Sequence, residues 1–496
     1  MFYKVIPNRH SPEKVFYFSN IPTKKCNFFR LFPRKSVNIF GIPPKKCKFA
    51  IRIFNVIAMK RFIYNNLVEW KNKTDRKPLI LLGARQVGKT YIIKNFGKKE
   101  FKNFVYVNCH QNEFTNNLFH NLMVERIVTE IERFYDVKIV CGETLLVFDE
   151  IQEAHNGIAS LKYFCEDMPN LHVVAAGSLL GISLRSDESY PVGKVETLKM
   201  YPMSFSEFLM AKGRQGLVDV LDELAWDSMK SMNEEYTELL RQYYFTGGMP
   251  EVVKTYIATG DTSATRKVQQ DILDAYQRDF AKHTKSQAEN IRRIWNNIPA
   301  QLARENKKFI FGAVTKGARA STYEEAIQWL VDAGLVYKVE RVRDPSMPLK
   351  FYADSSAFKL FVLDCGLLAC MSEANPNAML LGSNAFIEFK GSFTENYVLQ
   401  QLKASGYQSV FYYSKEKSTM EIDFLYQTLE RIVPVEVKAE ENVKSKSLST
   451  FVNYEFQERN FKAVRFSMRP YIDQDWMENV PLYAVESFGR RGMNSK

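Results

Sequence analysis

What the sequence has little of narrows it first. Its cysteines number seven, namely Cys26, Cys47, Cys109, Cys141, Cys165, Cys365 and Cys370. They are scattered and odd in number, with no C-x-x-C pair and no Cys/His cluster. That excludes a disulfide scaffold and leaves zinc without a recognisable ligand set. Reduced thiols serving as core filler in a cytoplasmic protein are the expectation. Long hydrophobic runs are missing too. The longest apolar stretch of the leading segment, Phe49 to Met59, is broken by Arg52 and Asn55 and falls well short of the ~20 residues of a membrane span. No membrane span is expected.

Acidic residues are nearly absent from residues 1–58, which hold 12 Lys/Arg and one acid, Glu13. The net charge of +12 is therefore almost all in this segment, because 56 basic and 55 acidic residues remain in the other 438. The body of the chain is nearly neutral, which argues against a broad polyanion-binding surface. The segment is proline-punctuated and aperiodic. It reads as a targeting peptide, as a nucleic-acid or membrane-surface arm, or, the favoured reading, as upstream sequence translated from an early start codon. Met59-Lys60-Arg61-Phe62 then opens directly into an amphipathic helix.

What is present is ordinary globular usage, 46% hydrophobic and 25% charged over 496 residues, enough for about three domains. The strongest local signal is Pro78-Leu79-Ile80-Leu81-Leu82 running into Gly83-Ala84-Arg85-Gln86-Val87-Gly88-Lys89-Thr90 and then a helical stretch. This is strand, G-x-x-x-x-G-K-T, helix. Glycines let backbone N–H groups curve around a phosphate, the helix N-terminus adds positive potential, and Lys89 reaches the β- and γ-phosphates. Thr90 offers its hydroxyl to Mg²⁺. A second apolar strand, Thr144 to Phe148, ends in Asp149 and Glu150. Asp149 is placed to hold Mg²⁺ and Glu150 to polarise the attacking water.

Phe104 to Val107 and His172 to Ala176 read as further parallel strands, with Ser178 just past the latter, where it could sense the γ-phosphate or the water. Asn72-Lys73-Thr74-Asp75 spells the guanine-reading N-K-x-D element. It precedes the phosphate loop rather than following the later strands, so it reads as a surface turn.

By these motifs, together with Asp149-Glu150-Ile151-Gln152, Ala176-Gly177-Ser178, Tyr201-Pro202-Met203-Ser204-Phe205-Ser206-Glu207-Phe208, Gly247-Gly248-Met249-Pro250-Glu251, Leu363-Asp364-Cys365-Gly366-Leu367-Leu368 and Glu395-Asn396, the chain resembles a group of prokaryotic AAA-superfamily ATPases. In that group the ATPase domain is followed by an uncharacterised C-terminal domain. The resemblance implies ATP and Mg²⁺ as cofactors, an α/β three-layer P-loop domain and a helical lid. It also implies an arginine acting across an oligomer interface, but this chain carries Gly193-Lys194 at that position, and a lysine lacks the bidentate guanidinium. Arg185 is the substitute candidate if a homo-oligomer forms.

Residues 206–285 read as a helical lid or connector after an ATPase domain at 59–205. In 286–345, the order helix, turn, strand suggests a winged-helix unit, with Lys316 and Arg319 available to DNA phosphates. Glu324, Glu325 and Asp332 oppose that contact, and a packing scaffold is the favoured reading. In 346–496, Glu395 on a helix, Asp423 in a strand, and Glu436 and Lys438 two apart at the end of another resemble the PD-(D/E)xK nuclease superfamily. That resemblance implies acids on Mg²⁺ and a lysine orienting water. The principal expectation is an ATP-driven switch or motor acting on an unidentified protein client or on DNA. An ATP-gated metal-dependent DNA-binding protein or nuclease, and a module that binds nucleotide without turning it over, are the alternatives.

Overall fold

The computed structural model describes residues 59–110, 113–178, 191–282, 284–304, 307–317, 319–382, 384–415, 418–440 and 445–494; for 384–389 and 494 only the backbone is described. The leading segment 1–58 and Arg185 lie outside these residues.

The first sheet comprises β1 (Leu79–Leu82), β2 (Asn103–Asn108), β3 (Thr144–Asp149), β4 (His172–Ala176) and β5 (Glu196–Lys199). All neighbours are parallel, in the order β2-β3-β4-β1-β5. The central strands β1, β3 and β4 are buried almost throughout, as a sheet covered on both faces requires, whereas the edge strands β2 and β5 are partly polar. Leu79, Leu81, Leu145, Val147, Val174 and Ala176 pack against the helix Lys89–Glu100 through Ile92, Ile93 and Phe96. The alternate residues Ile80, Leu146, Phe148, Val173 and Ala175 pack against Val124–Tyr135 and Gly157–Asp167. This is the expected three-layer arrangement. The connection from β1 crosses β4 and β3 to reach β2, and the next two connections return toward β1 through β3 and β4. A crevice forms at the carboxyl ends of the strands.

Six helices between Phe205 and Phe280 follow. The first is fixed by a capping box, in which Ser204 and Glu207 each accept from the other's backbone N–H. The helices Lys285–Leu302 and Ala320–Asp332 come next.

The second sheet has eight strands: β6 (Val336–Val342), β7 (Ala353–Val362), β8 (Val410–Ser414), β9 (Glu421–Gln427), β10 (Ile432–Val437), β11 (Ala463–Ser467), β12 (Ile472–Asp473) and β13 (Met477–Pro481), in the order β12-β13-β11-β10-β9-β8-β6-β7. The helices before β6 and the β6–β7 hairpin follow the order expected of a winged helix, but the hairpin is not a free wing. Its β6 pairs in parallel with β8, Arg341 opposite Tyr412, which satisfies a row of edge groups that would otherwise face solvent. The expected boundary at 345/346 therefore cuts a hairpin, and β6 and β7 belong to the C-terminal sheet.

One apolar core runs from a face of the first sheet through Tyr243, Phe245 and Trp295 to Val398, Leu402, Phe424 and Val435 of the C-terminal part. Cys109, Cys365 and Cys370 are buried as core filler, whereas Cys141 is exposed. Among the described residues no helix is long and apolar enough to cross a membrane. Asn72 ends the helix Ile63–Asn72, and Lys73 to Asp75 turn at the surface, where Lys73 pairs with Glu196 at 2.5 Å.

Candidate nucleotide and carboxylate sites

Loop 83–90 leaves β1 and enters the helix Lys89–Glu100. A Cβ on Gly83 would lie 2.4 Å from the Met200 carbonyl oxygen, and Gly88 has a φ of +99°. Neither position accepts a side chain without strain. The Lys89 ammonium donates to the carbonyl oxygens of Gly83 and Ala84 at 2.7 and 2.9 Å. Burial pulls its pKa down to about 8 against the opposing charges of Glu150 and Asp149.

Asp149 ends β3, and its Oδ2 accepts from the Thr90 hydroxyl at 2.9 Å and from the Tyr106 hydroxyl. Thr90 and Asp149 thus bring two hard oxygens together beside the helix N-terminus, a donor pair that suits Mg²⁺. Glu150 has a left-handed φ of 53°, so its side chain turns away from the strand. Its Oε2 accepts from Ser178 N at 2.9 Å, Ser178 Oγ at 3.1 Å and Gln152 Nε2 at 2.6 Å. Burial raises the carboxyl pKa, but these hydrogen bonds and the Lys89 charge outweigh it and hold it below the ordinary glutamate value. Glu150 is charged at neutral pH.

Three residues outside the motifs brace this loop. Arg61 donates to the Val87 carbonyl at 2.9 Å and pairs with Glu207 at 2.9 Å. Asp279 accepts from Arg85 at 2.9 and 3.1 Å, and the Tyr276 hydroxyl donates to the Arg85 carbonyl at 3.0 Å. The loop is thereby tied to the helix Thr262–Phe280. Tyr106 was legible only as a strand residue. Its contact with Asp149 follows from β2 lying beside β3, which no local pattern reveals. Lys194 pairs with Glu166 of its own chain at 2.8 Å.

In the C-terminal sheet, Asp423 lies on β9 and Glu436 on the adjacent β10, with Lys438 two residues on. Asp423 Oδ2 accepts from Val437 N at 2.8 Å, and Lys438 pairs with Glu436 at 2.9 Å. Glu395, on the helix Asn384–Ala404, pairs with Lys307. The Asp423 carboxyl is pushed up to about 7 by burial and by the Glu395 charge, against Lys359 and Lys307. Glu395 Oε2 and Glu436 Oε2 are buried with no hydrogen-bond partner among the described residues. The four expected residues share one electrostatic neighbourhood, because Lys438 also feels the charges of Asp423 and Glu395. Even so, no group of three or more His, Cys, Asp or Glu side chains among the described residues is spaced to hold a metal ion. The donors suit a divalent cation, but their present arrangement does not hold one. Lys316 and Arg319 are exposed, as are Glu324 and Glu325 on the helix that follows.

The comparisons bear on the fold of the first part of the chain. Residues 75–209 match a family model described as AAA domain. This segment has an AAA-type P-loop fold. Residues 237–378 and 390–484 match two domains of unknown function, DUF8612 and DUF4143. No curated protein matches the chain. Similar solved structures include the Aeropyrum pernix Orc1 protein in complex with DNA, 12% identical, covering 68% of this chain and 94% of that one at a TM-score of 0.26. Another is Cdc6p from Pyrobaculum aerophilum, 11% identical, with the same coverages and a TM-score of 0.21. At such scores neither likeness bears on function.

Proposed function

We propose that the chain is an ATP-driven switch. Loop 83–90 cradles the phosphates of ATP, with Lys89 on the β- and γ-phosphates. Thr90 and Asp149 hold Mg²⁺, which supplies charge neutralisation on the phosphate oxygens. Glu150 polarises the attacking water from a position set by Ser178 and Gln152. The observation that carries this reading is the convergence of Thr90 on Asp149 and of Ser178 on Glu150, across the carboxyl ends of the strands flanking the loop. The Arg85–Asp279 pair supports transmission of the nucleotide state to the helical segment. The client is a protein or DNA, and the order of assembly is open to a homo-oligomer. Binding of a fluorescent ATP analogue to Lys89→Ala tests the loop. Affinity should fall at least about tenfold, since a charge-assisted contact is lost. Unchanged affinity would remove the loop from nucleotide binding.

A second reading is favoured by the shared face of Asp423, Glu436 and Lys438 and by the two unpartnered oxygens of Glu395 and Glu436. In it the C-terminal sheet is a metal-dependent DNA nuclease gated by the ATPase domain. Nicking of plasmid DNA in Mn²⁺ should then vanish in both Asp423→Ala and Lys438→Ala. Nicking that persists in both would belong to another site.

A further inference from the structure

The C-terminal carboxylates already have a cation beside them, and it comes from another part of the chain. Lys307 lies between the helices Lys285–Leu302 and Phe311–Val314. Its ammonium sits on Glu395 Oε1, and both side chains are largely buried, at 14% and 7% exposure. Lys359, fully buried on β7, reaches Glu421, and Lys438 takes Glu436. Lys359 lies within β7 and Lys438 one residue past the end of β10, whereas Lys307 comes from a different part of the chain.

We propose that Lys307 is the resident cation of this carboxylate site, an internal ammonium that competes with a divalent ion and weakens its binding for as long as it stays on Glu395. The proposal rests on the second reading above, that these carboxylates form a metal site.

Burying carboxylates without a counter-charge is costly. Glu395 and Glu436 each still present one buried oxygen with no donor among the described residues, so the pocket has more acceptor capacity than its lysines use. A divalent ion would use it. Mg²⁺ and Mn²⁺ take oxygen ligands in a tight octahedral shell, and Lys307 on Glu395 Oε1 adds a positive charge beside that shell which a divalent ion has to overcome. An ammonium on the same carboxylate opposes the incoming ion by charge and takes up part of the donor capacity of that carboxylate.

Lys307 is also held in place by its surroundings. Gln301 and Ile310 exchange two hydrogen bonds, at 2.9 and 3.2 Å, on either side of it. Phe309 N donates to the Phe358 carbonyl at 2.8 Å, and Ser392 Oγ donates to the Leu302 carbonyl at 2.6 Å. The helix Lys285–Leu302 that precedes it packs Trp295 edge-on against Tyr276 and Phe280. Tyr276 is the residue whose hydroxyl holds the phosphate loop at Arg85. The helix that precedes Lys307 therefore packs against the helix that braces the nucleotide site. A shift of the helix Thr262–Phe280 with nucleotide state would be felt at Lys307.

The test is Mn²⁺ binding to the full chain without nucleotide, read by the free-Mn²⁺ electron paramagnetic resonance signal. Wild type, Lys307→Ala, Lys307→Gln and each Lys307 variant combined with Asp423→Ala would be compared. The glutamine variant keeps a hydrogen-bond donor without the charge and guards against a folding defect in the alanine variant. The expected result is Mn²⁺ affinity at least about tenfold higher in both Lys307 variants than in wild type, with the gain lost when Asp423→Ala is added. Equal, Asp423-dependent affinity in wild type and both Lys307 variants would overturn the proposal while leaving the metal-site reading intact. Absence of any Asp423-dependent binding in all the chains would overturn both.

Discussion

Glu150→Gln should bind Mg·ATP as the wild type does and release phosphate about 10²- to 10³-fold more slowly, the range expected on losing a positioned general base. The substitution is close to isosteric, and the amide oxygen can still accept from Ser178, so the loop and its surroundings should survive. What disappears is the negative charge. In the wild type that charge is secured at neutral pH by three donors on one oxygen and by Lys89, which together outweigh the effect of burial. Single-turnover hydrolysis beside equilibrium ATP binding separates the two effects. Equal hydrolysis rates would remove Glu150 from the chemistry and leave it as a strut for Ser178.

The largest effect on stability is expected at Asp364→Ala, with a loss of about 3–5 kcal/mol in denaturant unfolding, the scale of breaking a buried hydrogen-bonded charge. Asp364 is fully buried. Its carboxylate accepts from Gly248 N at 2.6 Å, from Leu367 N at 3.0 Å and from Gln400 Nε2 at 3.0 Å. It therefore joins the turn that begins the helix Pro250–Thr259, the first turn of Cys365–Met371 and the helix Asn384–Ala404. Alanine would leave the Gly248 and Leu367 N–H groups buried with no acceptor and Gln400 Nε2 with only the Tyr243 hydroxyl, at 3.0 Å. A loss under 1 kcal/mol would mean that water replaces the carboxylate and that this junction is not a structural hub.

The nucleotide site was legible because its chemistry is local. Eight consecutive residues make the loop, and two consecutive acids end a strand. What tunes the site was not legible. Tyr106, Arg61 and Asp279 reach it from 43, 26 and 194 residues away from their partners, and only strand order and helix packing bring them in.

The same physics explains the misplaced boundary at 345. A helix, a turn and a strand were correctly read between Ala320 and Val342, but the neighbour of that strand, β8, lies some 70 residues further on. Strand pairing at that range leaves no periodicity to read. At the C-terminal acids, alternation put Glu436 and Lys438 on one face, and the structure adds Asp423 across the hairpin. The lysine on Glu395 comes from residue 307, and sequence spacing offered no hint of it.

Steady-state phosphate release from ATP by the full chain, with Mg²⁺ and with the Mg²⁺ chelated, tests the central claim most directly. The account predicts turnover that requires Mg²⁺. Tight Mg·ATP binding with no turnover would contradict it and leave a module that reads nucleotide without consuming it.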